Sequence, residues 1–427
     1  MNQIRALLQS FSNPRSLLSQ TATYGAFRAI NMALPILLVP IMTRYMSPED
    51  YGVMSSFTIA ISLTSPLVGF GMLSVIRRRY FDRDELDFPA YILGTLVIFA
   101  MALLTVAPFC FVVHRLLGLG ERVPMAWVFV FLLWIAGFTL QGFHITFLQI
   151  EGRSRAFGMA TVYVTIINLS VSLVFVVALQ MGWRGRVLGP VAAYTVAGGV
   201  AIVSLARRLR PWPKFNVSYV KDALRYAAPT IPYAMLERAI TATDRLVVIA
   251  YLGVAVGGEY AVSAQVAGVI SVVVQAFVTA WTPWVYERLK GDEEEGHKAV
   301  VRAIYVALGG LLACGIGVLL VAEYALPVIV GPKFVEAGRF VPWLVAGFTV
   351  RSASLLFMAI VAFREKHAVL GWLSIVSGLL NYPLSVFLVG LNGANGAAQA
   401  TFGIYAINLV LVLVVALRVQ KLPWLKI

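Results

Sequence analysis

The feature that most constrains this chain is a succession of continuous apolar runs, each about twenty residues long and separated by short polar turns. About twenty apolar residues wound as a helix cross the hydrocarbon layer of a bilayer. Within that layer a segment has to satisfy its own backbone polar groups, which leaves only helices and closed barrels. Barrel strands would alternate apolar and polar residues over about ten positions, and these runs do not alternate. Composition agrees: the 427 residues are 60% hydrophobic and only 13% charged, with a mean hydropathy of +0.83. Soluble domains are roughly half apolar and about a quarter charged. The expected fold is therefore all-α: a polytopic membrane protein of about twelve transmembrane helices in two six-helix bundles.

The spans fall near 19–43, 48–76, 88–112, 124–149, 156–181, 188–206, 225–251, 256–286, 298–322, 340–362, 368–390 and 396–417. Ser47 ahead of Pro48, Glu49 and Asp50 is a good helix start, with a capping hydroxyl, a proline in the first turn and acids at the positive end of the dipole. Pro35, Pro40, Pro66, Pro108, Pro229, Pro232, Pro283 and Pro383 lie inside spans, where each removes a backbone bond and favours a kink. Trp183, Trp212, Trp281, Trp284 and Trp424 sit near span ends and are expected at the interfaces. Cys110 and Cys314 both fall in apolar runs, and the four histidines are scattered, so neither a disulfide nor a metal site is expected.

The net charge of +14 would suggest nucleic acid in a soluble chain. Here it is better read through the bias of Lys and Arg toward cytoplasmic loops. One side of the twelve-span layout collects about 23 basic residues, including both termini, Arg77 to Arg79 and the loop at 207–224; the other side collects about seven, among them Arg184 and Arg186. Both termini are thus expected in the cytoplasm of a multi-pass inner-membrane protein, with no nucleic-acid partner. The long basic loop also divides the chain: an N-terminal bundle at 1–206, a cytoplasmic linker with an amphipathic segment at 207–224, and a C-terminal bundle at 225–427. A spacing of 213 residues relates Thr161, Asn168 and Ser172 to Ser374, Asn381 and Ser385, as parallel repeats would. The segments at 1–18 and 214–227 have the amphipathic pattern of surface helices.

Four arginines remain inside spans: Arg28, Arg238, Arg245 and Arg351, with Glu237 and Asp244 as their acidic company. A charge in hydrocarbon costs roughly 2.5–3.5 kcal/mol on insertion scales, so such residues should face partners or a wet cavity. Gln20, Tyr24, Arg28 and Asn31 share one helical face, and Glu237, Thr241 and Asp244 another. These residues could simply neutralise one another between helices. The functional alternative is a cationic lumen binding an anionic head group through Arg28, Arg238, Arg245 and Arg351 with Asn31 and Tyr24. The excess of positive charge and the guanidinium fork suit a diphosphate. Asp244 and Glu237 are then candidates to couple transport to H+ or Na+. No other cofactor is expected. The Ser, Thr and Asn stripes of the fifth and eleventh spans fit hydrogen bonding between helices better than substrate binding.

The stretch LVPIMTRYMSPEDYGVMSS at 38–56 is similar to the oligosaccharide flippase (Wzx-type) branch of the multidrug/oligosaccharidyl-lipid/polysaccharide exporter superfamily. YLG at 251–253 followed by GEYAVS at 258–263, GPKFVEAG at 331–338 and GANGAA at 393–398 resemble the same branch. The resemblance implies a V-shaped pair of bundles with alternating access. It also implies a cationic lumen that passes an undecaprenyl-diphosphate-linked oligosaccharide, such as an O-antigen or exopolysaccharide unit, to the outer leaflet. Partners would be that lipid-linked oligosaccharide, membrane lipids, and a polymerase and other proteins of the pathway. Two rivals stand beside it. A membrane-embedded polymerase or ligase should carry a sizeable extramembrane loop and paired acids, which are missing here; the chain is read as a non-enzyme. A drug or cation exporter of the same superfamily should have an acidic lumen, against which the arginine excess argues.

Overall fold

A computed structural model of the chain describes residues 14–69, 71–116, 123–228, 230–290 and 294–424. Among the described residues there is no β-strand. The helices run in the order α1 (Pro14–Leu37), α2 (Val39–Tyr45), α3 (Pro48–Gly69), α4 (Met72–Arg79), α5 (Phe88–Leu116), α6 (Ala126–Ile150), α7 (Ser154–Leu173), α8 (Gly182–Arg208), α9 (Val217–Ala227) and α10 (Thr230–Leu252). They continue as α11 (Val254–Ala267), α12 (Val269–Lys290), α13 (Glu294–Ile329), α14 (Val341–Phe363), α15 (His367–Asn392) and α16 (Ala394–Val419). A π turn at Val174–Ala178 extends α7, and a 3-10 segment at Pro332–Phe340 leads into α14.

Among the described residues, eleven helical stretches are long and apolar enough to cross a membrane. The expected seventh span is present as the 23-residue α10, whose length suffices but whose Glu237, Arg238, Asp244 and Arg245 make it more polar than the others. The chain is an all-α, multi-pass membrane protein. Local chemistry explains several boundaries. At the start of α3 the Asp50 amide donates to the Ser47 hydroxyl at 3.1 Å, and the Ser47 amide donates back to the Asp50 carboxylate at 3.0 Å, a reciprocal capping box. The first span breaks between Pro35 and Pro40, where α1 gives way to α2 at Leu38. Pro66, Pro108, Pro283 and Pro383, in contrast, lie inside unbroken helices. The segment at 1–13 lies outside the described residues.

The chain forms two compact units, Met1–Asn31 with Ser56–Ala239, and Met32–Ser55 with Ile240–Ile427. Their boundaries fall within α1, α3 and α10. In the first unit α8 packs on both α6 and α7, and α9 packs on α5. In the second unit α16 packs on both α14 and α15. Glycines lie at the helix crossings, with different clearance. A Cβ on Gly137 of α6 would lie 2.3 Å from the Tyr194 carbonyl oxygen on α8; a Cβ on Gly347 of α14 would lie 3.4 Å from the Cα of Phe402 on α16. Close helix approach through small residues is how membrane helices gain van der Waals contact without a hydrophobic driving force. One expected interface aromatic behaves differently: Trp281 is buried in the core of the second unit, with its indole N–H donating to the Leu356 carbonyl at 3.2 Å.

Candidate functional site: polar clusters within the membrane helices

The second unit gathers a polar cluster on α10, α11, α14 and α16. The Tyr260 hydroxyl on α11 donates to the Asp244 carboxylate on α10 at 3.0 Å. Thr401 on α16 lies 3.2 Å from that hydroxyl and 3.4 Å from the same carboxylate oxygen, and also donates to the Ala397 carbonyl at 3.1 Å. Tyr260 and Thr401 are buried, and Asp244 is half-buried. Neutral hydroxyl donors thus hold a carboxylate that would otherwise face a large desolvation cost. Nearby, Arg351 on α14 donates to the Tyr405 hydroxyl on α16 at 3.3 Å, its guanidinium 5.3 Å from the ring centroid. Tyr405 lies within electrostatic reach of Arg351, Asp244 and Arg245. Arg351 is exposed and Arg245 half-buried. Among the described residues neither side chain is ion-paired to a carboxylate. Among the described residues, two guanidinium groups and one carboxylate therefore lie within electrostatic reach of Tyr405, an excess of positive charge.

In the first unit Asn31 of α1 reaches α7. Its amide donates to the Thr161 hydroxyl at 3.0 Å, and its carbonyl oxygen accepts a short hydrogen bond from Thr165. Further along α7 the Asn168 side-chain oxygen accepts from Ser172 at 3.2 Å and from Arg186 of α8 at 3.0 Å, and Arg186 also donates to Ser172 at 3.0 Å. The sequence assigns Arg186 to a loop; it lies inside α8 and is half-buried. The reason is local. Gly182 opens the helix in a left-handed conformation with φ of 55°, so the run Trp183-Arg184-Gly185-Arg186, which reads as a turn, already winds helically. The stripe of hydrogen-bonding residues on the fifth span thus joins helices, as its spacing suggests.

The candidate residues distribute as follows. Asn31 bonds α7 within the first unit. Arg238 is exposed on the first-unit part of α10. Asp244, Arg245 and Arg351 come together in the second unit. Tyr24, Arg28 and Glu237 lie on helical backbone, and their side chains lie outside the described residues. Tyr260, Thr401 and Tyr405 were missed, because single hydroxyls in apolar helices give no sequence signal. Among the described residues no cluster of His, Cys, Asp and Glu is able to hold a metal ion.

The motif segments also meet one another. In the second unit the Gly331 amide donates to the Thr43 hydroxyl at 3.1 Å, Tyr51 and Phe334 make an edge-to-face contact at 5.4 Å, and Ser263 donates to the Ala337 carbonyl at 2.7 Å. The stretches at 38–56, 258–263 and 331–338 thus form one packed region, which explains why they read as a set.

Comparison with solved structures places the fold. The lipid II flippase MurJ in an inward closed conformation superposes with a TM-score of 0.71 at 12% identity, covering 92% of this chain and 86% of that one. An inward-facing multidrug resistance MATE family transporter of the MOP superfamily gives 0.62 at 18% identity, covering 93% of each chain. The Vibrio cholerae MATE transporter VcmN in its bent form gives 0.53 at 16% identity, covering 94% of this chain and 98% of that one. No curated protein matches the chain at a significant level. The profile described as polysaccharide biosynthesis protein matches residues 41–339, well over half of the sequence. With the membrane helices, the packed motif region and this match together, the chain belongs to the polysaccharide biosynthesis protein family and has the fold of the MOP exporters.

Proposed function

We propose that the chain is a flippase that translocates an undecaprenyl-diphosphate-linked oligosaccharide, an O-antigen or exopolysaccharide unit, across the bacterial inner membrane by alternating access. The observation that carries this reading is the charge of the second-unit cluster: Arg245 and Arg351 share it with one carboxylate, Asp244. A guanidinium offers paired N–H donors to phosphate oxygens, and a net cationic cluster among membrane helices suits an anionic head group. Arg28 and Arg238 on the first unit are further binding candidates, with Asn31 and Tyr24. The family's concern with polysaccharide biosynthesis and a fold neighbour that is itself a lipid II flippase support the same substrate class. In this reading two six-helix bundles, at 1–206 and 225–427, work around the segment at 207–224, with both termini cytoplasmic. Asp244 or Glu237 couples the cycle to H+ or Na+, and a polymerase receives the flipped unit.

The test is transfer of an undecaprenyl-diphosphate sugar between leaflets of vesicles containing the purified protein. A charge-assisted hydrogen bond contributes about 1.5–3 kcal/mol, so Arg245→Ala or Arg351→Ala should slow transfer by about tenfold or more. Undiminished transfer by Arg28→Ala, Arg238→Ala, Arg245→Ala and Arg351→Ala alike would overturn the reading. The likeness to MATE structures favours one alternative, efflux of a cationic drug. That alternative expects the arginine variants to bind cations more tightly, and efflux in the same vesicles separates the two. A polymerase or ligase would instead lengthen the lipid-linked sugar during the assay.

A further inference from the structure

Helix α9 is fastened to the first unit at several points. The carboxylate of Asp222, the one acid on α9, accepts two hydrogen bonds from Arg79 at the end of α4, at 2.7 and 3.1 Å, and one from the Tyr91 hydroxyl on α5 at 2.7 Å. The Tyr219 hydroxyl accepts from the Asp87 amide at 3.2 Å, and its ring lies 5.4 Å from that of Tyr91. Ala223 and Ala227 are buried, and Val220 lies against Gly94. Asn216 caps the helix by accepting from the Ser218 amide at 2.9 Å, so the Asn-Val-Ser sequence there serves as a helix start. These contacts hold α9 beside the first two turns of α5, a membrane span that begins at Phe88.

What remains outward is basic and aromatic. Trp212, Phe215 and Val217 are 68%, 52% and 53% exposed. Arg207, Arg210, Lys214, Lys221 and Arg225 are all exposed as well. The one acid of α9 is engaged by Arg79, so it does not offset them. We propose that this face docks on an anionic lipid surface: the five cations meet headgroup phosphates at the end of the α5 span, and Trp212 and Phe215 insert at the acyl boundary. Charge complementarity selects this occupant. Aromatic rings with an apolar body and a polar edge favour that depth, and basic side chains near an anionic leaflet each strengthen attachment about fivefold. The inference does not depend on what the protein transports.

The test uses the full-length protein in nanodiscs of phosphatidylcholine in which a fifth of the lipid is a brominated quencher, either phosphatidylglycerol or phosphatidylcholine. The difference in fluorescence between the native protein and Trp212→Phe isolates Trp212. Brominated phosphatidylglycerol should quench that signal at least twice as strongly as brominated phosphatidylcholine, and added inorganic phosphate should not relieve it. The triple change Arg210→Gln, Lys214→Gln and Lys221→Gln should abolish the preference. Because the lipid comparison is made on the native chain, it stands even if that variant fails to fold. Equal quenching by the two lipids would overturn the proposal. So would no quenching by either, the result expected if the face instead holds a protein partner.

Discussion

The trio α6, α7 and α8 in the first unit and the trio α14, α15 and α16 in the second are built on one plan and filled with different electrostatics. In both, the last helix lies across the other two, and a serine on the middle helix donates one turn back to an asparagine: Ser172 to Asn168 at 3.2 Å, Ser385 to Asn381 at 3.1 Å. The first trio adds a permanent cation, Arg186, which donates to both members of its pair. The residue 213 positions on is Gln399, whose side-chain oxygen accepts from Asn392 at 2.6 Å. The second trio brings in its charge through Thr401, which touches the Asp244 carboxylate. Two similar frames can therefore hold unlike charges: in one a guanidinium, in the other a carboxylate reached through a hydroxyl.

The largest test of this comparison acts on the glycines. Gly137→Ala places a methyl 2.3 Å from a backbone oxygen, whereas Gly347→Ala meets its nearest atom at 3.4 Å. Overpacking of this kind costs about 1–3 kcal/mol. Thermal unfolding in detergent should put Gly137→Ala at the top of that range or above and Gly347→Ala below about 1 kcal/mol; equal losses would mean that the two crossings are not set differently. Next is Arg186→Met, which deprives Asn168 and Ser172 of a shared donor and should destabilise by about 2 kcal/mol. The matching Gln399→Met, at an exposed hydrogen bond, should cost about 0.5 kcal/mol.

Asp244→Asn keeps the shape and most hydrogen bonds of the second cluster but removes its charge. Transport driven by a proton or sodium gradient should fall about tenfold, while exchange without a gradient persists; Arg186→Gln should leave the response to the gradient intact. If Asp244→Asn transports with full gradient dependence, the proposed coupling role of Asp244, and with it the contrast with Arg186, fails. Within the Asp244 cluster a smaller effect is expected from Tyr260→Phe. It withdraws one donor from Asp244 and should lower stability by about 1 kcal/mol, within the range for hydrogen bonds between membrane helices.

Much of the architecture was legible in the sequence, because a bilayer enforces long apolar runs and those runs are easy to read. The capping hydroxyl of Ser47 and the 213-residue spacing that relates Asn168 and Ser172 to Asn381 and Ser385 were legible too; that each serine bonds the asparagine of its own helix was not. The partners across helices were not. Arg186 lies on the fifth residue of α8, in a stretch rich in glycine and arginine that resembles a turn, and basic residues near span ends normally reach for the interface. Tyr260 and Thr401 carry no local pattern at all; only the crossing of α11 and α16 past α10 makes them partners of Asp244. Trp281 misled for the opposite reason: its nearness to a span end suggested an interface, but its indole N–H found a carbonyl inside the core.

The π turn at Val174–Ala178 has a consequence for reading relatives of this chain. There the Leu179 amide bonds back five residues to Val174, and the Met181 amide closes the turn on the Phe175 carbonyl at 3.0 Å. Such a turn contains one residue more than α winding needs. Deleting one residue would rotate everything after it by about 100°, and the guanidinium that now points at Ser172 would swing to another face. Length at this hairpin is thus a matter of aim, and a homologue one residue shorter should carry its arginine one position over or have none opposite its Asn-Ser pair.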